Sequence, residues 1–514
     1  MTATLSAPPV VPGPAGAVPW RERLLPRIGG GGWLATLAVG VLAGALRFLR
    51  LDLPKGKIFD EIYYACDAQN LIRSGVEQAT QSGNAKCVPT GQPGFIVHPP
   101  LGKWLIGAGE QLFGVNEFGW RFSAAVAGTL SVVLLVRLAR RITGSTLLGC
   151  LAGVLLSLDA LHFVQSRAAM LDIFLCLFIT ATVACLVADR DQIRLRLAAA
   201  DDQQLAGRGP RLGRRPWLLA AGVCVGAALA TKWSALYYLP LFLALPFVWE
   251  AGARRTAGIL APWRATVRRS VLPLLGLLLV LPAALYVVSW TGWFVSDNGW
   301  DRHWATAQNE TYGFLPDALR SWWHYHVEMY GFHSHLASKH TYQSHPLGWL
   351  LLARPVSYYY PAGITVGQYG CQVASCSREV LAIGTPAIWW ASIPMLIASL
   401  WLWVSRRDWR GITVVLLVLA AIVPWIPSDM KHRTMFLFYA LPAVPFMCLG
   451  LALVAGWTLG GRDASPRRRA VAATGIGIYV AVVVVNFAYL YPVIAAQTLP
   501  YADWHARMWF SSWI

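Results

Sequence analysis

The stretch VLPLLGLLLVLPAALYVVSW, Val271–Trp290, contains no charged residue. The hydrocarbon core of a bilayer is about 30 Å thick, and about 20 apolar residues in a helix are enough to cross it. Because the backbone inside lipid must satisfy its own hydrogen bonds, this stretch is predicted to be a transmembrane helix. The composition indicates the same class: 56% of the chain is hydrophobic and only 13% is charged, against about 25% charged residues in soluble domains.

Similar apolar runs recur along the chain, and many of the 25 Trp and 18 Tyr residues lie near the ends of these runs, as expected for rings at the headgroup level. Eleven spans are predicted, at 33–51, 119–137, 144–161, 168–188, 216–232, 235–250, 271–290, 385–404, 411–427, 434–457 and 471–492. We therefore expect an all-α integral membrane protein whose two large loops carry short amphipathic helices.

The net charge of +18 is concentrated in short loops between apolar runs. If every second segment between the predicted spans is counted, starting with the N-terminal tail, these segments hold 25 of the 43 Lys and Arg residues. The long segments 52–118 and 291–384, which belong to the other set, hold only five each. Basic loops stay in the cytoplasm. The distribution therefore predicts a cytoplasmic N-terminus and two extracytoplasmic loops, and it argues against a nucleic-acid partner.

This orientation divides the chain into five parts. They are a disordered cytoplasmic tail 1–32, a transmembrane module 33–290 that includes the outer loop 52–118, a large outer loop 291–384, further helices 385–492 and an outer tail 493–514. The first apolar run lacks a convincing cleavage site, so it is predicted to be retained as a helix in the plasma membrane.

Four of the nine Cys residues fall in predicted outer segments: Cys66, Cys87, Cys371 and Cys376. On an oxidising face they suggest the disulfides Cys66–Cys87 and Cys371–Cys376. Four Cys allow three connectivities, so the sequence leaves the pairing open. A metal site is the alternative, but the spacings are not those of a zinc motif.

The segment FDEIYYA, Phe59–Ala65, places two adjacent carboxylates a few residues after the first span. Acidic residues in a loop are usually solvated, but Asp60 and Glu61 are embedded among apolar and aromatic residues at the membrane boundary. Charge near lipid is costly and is usually kept for a function. We therefore interpret the pair as part of a catalytic site.

Other ionisable residues are predicted at the same depth on several spans: His98, Lys103, Arg121, Arg167, Asp172, Lys232, Lys431, His432 and Arg433. Single Lys or Arg residues at helix ends often only extend to the interface. Together, however, they describe a cationic pocket that suits a phosphate, with a carboxylate beside it that suits a general base. The reaction that fits is displacement of a lipid phosphate from a sugar, in one inverting step.

The sequence resembles the protein O-mannosyltransferases of glycosyltransferase family 39, which have the GT-C fold. The resemblance covers about residues 50–490. It is carried by the Asp-Glu pair, HPPLGK (His98–Lys103), GWR (Gly119–Arg121), QSRxxxLD (Gln165–Asp172) and LFYALPAVPF (Leu437–Phe446). The segment His340–Tyr360 resembles bacterial members in particular. The loop 291–384 is too short and too aromatic for the MIR domain of the fungal and animal enzymes.

The resemblance implies polyprenyl-phosphate-mannose as donor and Ser or Thr of an unfolded or translocating secretory protein as acceptor, which makes the export machinery a candidate partner beside membrane lipids. Asp60 would be the base and Glu61 would support the site. The implied phosphate ligands are Arg121, Arg167, Lys232 and Arg433. His98, Lys103, Gln165 and Asp172 would shape the pocket. No metal or other cofactor is expected.

Two other functions remain open at this stage. The protein could transfer a sugar from the same donor class to a lipid or a cell-wall polysaccharide, because a base and a set of phosphate-binding cations do not reveal the acceptor. A transporter of lipid-linked sugar is the second alternative. Transporters often show inverted repeats and broken helices at mid-depth, whereas the ionisable residues here are predicted at one face.

Overall fold

The structure is a computed structural model that describes residues 19–26, 31–81, 87–95, 97–308, 314–429, 432–461 and 463–514. Most of the predicted tail 1–32, together with Lys431, lies outside these residues. Within that tail, Trp20–Leu24 is a short helix, not a disordered segment. The helix is held because Leu24 is buried with Ile193 and Leu197, and Arg194 Nε donates to the Leu24 carbonyl over 3.1 Å.

Apolar helices dominate the described part of the chain. Eight are long enough to cross a membrane: Glu117–Thr143, Leu171–Ala199, Trp233–Thr256, Pro262–Ser289, Pro386–Arg406, Trp409–Ser428, Leu437–Leu459 and Pro466–Ile494. Three more are apolar but shorter: Trp33–Phe48, Thr146–Ser157 and Pro216–Leu229. The chain is therefore a multi-pass membrane protein, and each of these helices overlaps one predicted span.

The bounds of a helix follow its capping residues more closely than its apolar run. The span predicted at 119–137 extends over Glu117–Thr143 because Asn116 caps its first turn, accepting from the Gly119 N–H, and Gly144 ends it with a left-handed backbone, φ 71°. Asn at the N-cap and glycine after the last turn are the residues that such helix ends prefer. Polar residues at both ends are thus helical although an apolar run cannot reveal them.

Shorter elements fill the loops. The helices there are Glu61–Ser74, Leu101–Phe113, Ala160–Gln165, Asp202–Leu205, Thr291–Val295, Trp304–Ala307, Asp317–His335 and Tyr501–His505. The strands Gln78–Thr80 and Pro89–Pro93, Val356–Tyr359 and Val380–Ala382, and Cys376–Arg378 and Thr498–Pro500 form three antiparallel ribbons. The all-α prediction missed these ribbons because strands of three to five residues are too short to show an alternating pattern.

The large loop 291–384 packs against the C-terminal tail. The last ribbon joins the large loop to the tail, with Ser377 paired to Leu499. The four outer Cys residues are paired as Cys66–Cys87 and Cys371–Cys376. The first disulfide joins the helix Glu61–Ser74 to the segment that leads into the second strand.

Two breaks between apolar helices position polar side chains inside the bundle. Pro216–Leu229 ends just before Lys232, whose backbone is extended, and a 3-10 turn then starts the next helix at Trp233. Leu171–Ala199 begins after an extended Met170, which places Asp172 in its first turn. Such breaks are tolerated at membrane depth where they are buried in protein or line a cavity.

Candidate active site

Asp60 lies at the first turn of the helix Glu61–Ser74. The residue before it, Phe59, has a left-handed backbone with φ 47°, a conformation that is unfavourable for an aromatic residue. Phe59 is held there by stacking on Tyr358, with ring centroids 4.4 Å apart. Residues in such strained conformations cluster at functional sites. The strained turn fixes the direction in which the Asp60 carboxylate leaves the backbone.

Burial raises the pKa of Asp60 to about 6, although the positive charge of Lys232 opposes the increase. The negative charge of Asp172 contributes to the increase, and a hydrogen bond with Tyr64 opposes it. A carboxyl group whose pKa lies near the working pH is suited to accept a proton in a reaction. Asp60 is thus a buried carboxylate with a pKa suited to a general base.

Glu61 and Arg121 are fully buried and form an ion pair. Arg121 Nε and Nη2 donate to the two carboxylate oxygens over 2.8 and 2.9 Å. Its remaining donors bind the carbonyls of Leu51, Pro54 and Gly56. A guanidinium has five N–H donors, and all five are engaged.

Glu61 is equally occupied, because its oxygens also accept the N–H groups of Ile58 and Ala169 over 3.0 and 2.9 Å. The ion pair therefore fastens the loop before Asp60 to the helices behind it. Arg121 therefore has no free N–H with which to bind the donor phosphate, the contact that the sequence predicted. We propose a structural role for Arg121 instead, and for Glu61 the supporting role that the sequence suggested.

Arg167 is mostly buried and binds the end of the first apolar helix. Its Nη1 donates to the carbonyls of Arg47 and Leu49, both over 2.7 Å, and its Nη2 donates to the carbonyl of Arg50 over 2.7 Å. The Arg47 carbonyl belongs to the last turn, where a helix leaves its carbonyls without intrahelical partners, and Leu49 and Arg50 follow directly after the helix. We therefore propose that Arg167 caps this helix, and we no longer assign it to the donor phosphate.

Lys232 and Asp172 form a second buried ion pair. Lys232 Nζ lies 2.9 Å from both oxygens of Asp172 and 4.8 Å from the centre of the Tyr439 ring. Unlike Arg121, Lys232 also acts on Asp60, as its effect on the Asp60 pKa shows. The pair thus places a cation beside the candidate base.

Arg433 also lies over the Tyr439 ring, with its guanidinium carbon 5.9 Å from the ring centre. Its Nε donates to the His333 carbonyl over 2.8 Å. His333 in turn lies 5.1 Å from His98 between ring centroids. Lys232, Arg433 and the two histidines therefore form one polar cluster near Asp60.

Both histidines are neutral at physiological pH. Burial lowers the pKa of His333 to about 4. It lowers the pKa of His98 well below its usual range, and Lys232 adds to this effect. The buried Nδ1 atom of His98 has no hydrogen-bond partner among the described residues. An unpaired buried polar atom in a cationic site is available to a polar substrate atom.

An aromatic wall completes the site. Phe59 meets the edges of Phe436 and Phe438 at 6.0 and 5.7 Å. Gln165 Nε2 donates to the Tyr358 hydroxyl over 2.6 Å, which fixes the ring that stacks on Phe59. The Oε1 atom of Gln165 is buried without a partner among the described residues.

Lys103 is buried and lies beside two carboxylates. Its Nζ is 2.8 Å from Asp67 and 3.6 Å from Glu77, and burial raises the pKa of Glu77 to about 7. Lys103 thereby joins the helix Leu101–Phe113 to the helix that begins next to Asp60. The shaping role of Lys103 stays a prediction, and Lys103 is close enough to His98 to contribute to the lowering of the His98 pKa.

Four site residues were not singled out from the sequence: Tyr64, His333, Tyr358 and Tyr439. Tyr64 had a usable signal, because a residue four positions after Asp60 on a helix shares its face. Tyr439 and Tyr358 lie in segments that carried the family resemblance, but a tyrosine in an aromatic-rich segment has no distinguishing pattern. His333 was interpreted only as part of a surface helix. No group of three His, Cys, Asp or Glu side chains that could hold a metal ion occurs in the described part of the chain.

Comparisons with known proteins agree with one family. The family model described as dolichyl-phosphate-mannose-protein mannosyltransferase matches residues 37–294. The model of the C-terminal four-helix region of protein-O-mannosyltransferase matches residues 318–513. Together the two models span most of the chain, including Asp60 in the first and Arg433 in the second.

Among curated relatives, the polyprenol-phosphate-mannose–protein mannosyltransferase of Mycolicibacterium smegmatis strain MKD8 is 40% identical over 527 residues, covering 100% of this chain and 98% of the relative. The protein of the same name from Mycobacterium tuberculosis H37Rv is 39% identical and covers 94% of this chain and 92% of the relative. The solved protein O-mannosyltransferase Pmt1–Pmt2 complex of S. cerevisiae, bound to the sugar donor, shares the fold: its TM-score is 0.73 at 16% identity, with 96% of this chain and 94% of that chain covered. The chain belongs to the dolichyl-phosphate-mannose–protein mannosyltransferase family.

Proposed function

We propose that this protein transfers mannose from polyprenyl-phosphate-mannose to Ser or Thr hydroxyls of proteins, with Asp60 as the general base. The names of the relatives and the membership in the family support the donor and the acceptor class. The observation that carries the assignment of the base is the position of Asp60. It is a buried carboxylate that follows a strained residue, beside the Lys232 cation, with Arg433, His98 and His333 grouped close by.

The chemistry follows from this arrangement. The Asp60 carboxylate takes the proton of the acceptor hydroxyl as the hydroxyl oxygen attacks the anomeric carbon of mannose. The bond from that carbon to the phosphate oxygen breaks, and the lipid phosphate leaves with the electron pair. A single displacement of this kind inverts the anomeric configuration. It needs one base and stabilisation of one leaving anion.

Lys232 and Arg433 are the cations that we assign to the leaving phosphate. Both are packed against the Tyr439 ring, at 4.8 and 5.9 Å. Asp172 holds the Lys232 ammonium in place, and the unpartnered Nδ1 of His98 offers a further polar contact. Cations that are already in position stabilise developing negative charge without having to reorganise during the reaction.

We place this reaction at the extracytoplasmic face of the plasma membrane, with the N-terminus in the cytoplasm. The supporting observation is the separation of charge along the bundle. Asp60 lies in a loop that follows the C-terminal end of Trp33–Phe48. The N-terminal end of the same helix lies near basic residues, since Arg137 stacks on Trp33 at 3.9 Å. Basic loops mark the cytoplasmic side.

The test is sugar transfer by the purified full-length protein in lipid, with labelled polyprenyl-phosphate-mannose and a Ser/Thr/Pro-rich peptide. A matched peptide with Ala at every Ser and Thr is the control. Label on the first peptide and none on the control peptide supports the donor, the acceptor class and the transfer to Ser or Thr hydroxyls together. Consumption of the donor with neither peptide labelled would instead assign the acceptor to a lipid or a polysaccharide. Movement of intact donor across the bilayer without any transfer would support a transporter.

A further inference from the structure

The end of the bundle opposite Asp60 contains a cavity of about 650 Å³. Tyr439 and the candidate active site lie where the helix Leu437–Leu459 begins, whereas the cavity surrounds Trp457 near its end. At 1.5 Å per residue, the two sites are about 30 Å apart. A volume of this size is within the range of about 300–1,000 Å³ typical of ligand sites.

The lining of the cavity carries an excess of positive charge. Its charged members are Arg406, Asp408, Arg410, Arg468 and Arg469. Asp408 is already paired, because Arg410 Nε lies 2.9 and 3.0 Å from its two oxygens. Arg406 and Arg468 have no carboxylate partner among the described residues, and a ligand with negative charge is the one that fits them.

Two of these arginines retain hydrogen-bonding capacity. The Arg406 guanidinium lies over the rings of Trp401 and Trp457, at 6.0 and 5.7 Å, and it contacts no acceptor among the described residues. Arg468 donates from Nε to the Thr458 carbonyl and from Nη2 to the Trp457 carbonyl. Its Nη1 has no acceptor in the described part of the chain. These donors are available to an anion.

Trp457 provides a second, independent sign of a ligand. Its indole N–H is buried and has no hydrogen-bond acceptor among the described residues, although the ring is packed edge-on against Trp401 at 5.4 Å. Buried Trp N–H groups normally find a partner. An oxygen atom of a bound ligand would supply it.

The walls of the cavity are apolar, and they include Leu148, Leu402 and Leu453. A small inorganic anion would gain nothing from such walls, whereas acyl chains or a glycerol backbone would. Basic pockets between transmembrane helices on the cytoplasmic side bind lipid headgroups. We propose that this cavity binds the phosphate of an anionic phospholipid from the adjacent leaflet, with Arg406, Arg468 and Trp457 as its donors.

The proposal is tested with the purified full-length protein in nanodiscs made of phosphatidylcholine, with or without phosphatidylglycerol. Lipid retention is measured by native mass spectrometry, and thermal stability is measured in both lipids. Arg406→Gln and Trp457→Phe should each weaken phosphatidylglycerol retention about ten-fold, because each removes one hydrogen bond to a charged group. Trp457→Phe keeps an aromatic ring at this position. Because the Trp457 indole N–H has no partner within the described residues, the stability of the variant in phosphatidylcholine should match that of the wild type.

Arg264→Gln is the matched control. Arg264 is exposed in the first turn of the helix Pro262–Leu275, outside the cavity, and its loss removes the same charge. Unchanged retention in this control, together with weaker retention in the two cavity variants, supports the site. Equal loss in all three would show general attraction of anionic lipid to a basic face and would overturn the proposal. The assignment to a lipid would be overturned if inorganic phosphate, added to the protein in phosphatidylcholine, raised its thermal stability as much as phosphatidylglycerol does.

Discussion

Arg121 donates to both carboxylate oxygens of Glu61, over 2.8 and 2.9 Å, although the two residues are 60 positions apart in the chain. Glu61 is the residue next to the proposed base, and Arg121 also binds three carbonyls of the loop that leads to it. Arg121, which the sequence suggested as a phosphate ligand, therefore helps to hold the loop that leads to the proposed base.

Glu61→Gln should destabilise the protein strongly, because it leaves the Arg121 guanidinium buried without its counter-charge. Breaking a buried ion pair costs about 3–5 kcal/mol. The measurement is the free energy of unfolding in detergent, or the melting temperature. Asp52→Asn is the control, since it removes the exposed pair with Lys55 in the same loop and should leave the melting temperature unchanged. A Glu61→Gln protein as stable as the wild type would contradict the structural role.

Asp60→Asn should reduce the turnover number by about 10²–10⁴-fold, the usual contribution of a general base, and it should leave donor binding nearly unchanged. Removal of a group that acts mainly in the transition state lowers kcat more than it weakens substrate affinity. Turnover is measured with labelled donor and acceptor peptide, and donor binding is measured separately by titration. Asp52→Asn again serves as the control. A variant with more than a tenth of wild-type turnover would exclude Asp60 as the base.

The rate should depend on pH in the direction set by Asp60. Its pKa is raised from 3.8 to about 6 by burial, and a base is active only in its deprotonated form. Activity should therefore be full above about pH 7 and fall tenfold per pH unit below about pH 6. The measurement is kcat/KM for the donor between pH 4.5 and 8 (values chosen to span about one and a half units below and two above that pKa). A profile that stays flat down to pH 5 would argue for a different base.

Lys232 and Asp172 allow a test that separates charge from folding. Lys232→Met leaves Asp172 buried without its partner and should lower both stability and activity. The double variant Lys232→Met with Asp172→Asn removes both charges and should recover much of the stability, since replacing both members of a buried pair is often neutral. Its activity should stay low because the cation beside the leaving phosphate is missing. Recovery of activity together with stability would assign the pair a structural role alone.

The sequence predicted the membrane fold well because the apolar runs are long, and their length is imposed by the bilayer. It also predicted Asp60, Lys232, Arg433 and His98 at one depth, and these residues are neighbours in the structure. It could not separate Lys232 and Arg433 from Arg121 and Arg167, since all four are cations at predicted span ends. The difference depends on which carbonyls and carboxylates each one meets, and those partners are distant in the chain. The short ribbons were missed for a related reason, because the strands are held by pairing and show little pattern of their own.

Arg433 and Arg167 were both predicted from the sequence to bind the donor phosphate, and their different contacts allow a direct test. Arg433 donates from Nε to the His333 carbonyl and lies over the Tyr439 ring beside Lys232, whereas Arg167 binds carbonyls at a helix end. Arg433→Gln should therefore raise the KM for the donor about ten-fold, equivalent to about 1.4 kcal/mol, with little change in melting temperature. Arg167→Gln should lower the melting temperature, because it leaves helix-end carbonyls buried without donors. The folded fraction should keep its KM. The reverse pattern, with a raised KM in Arg167→Gln only, would return Arg167 to the phosphate site and remove Arg433 from it.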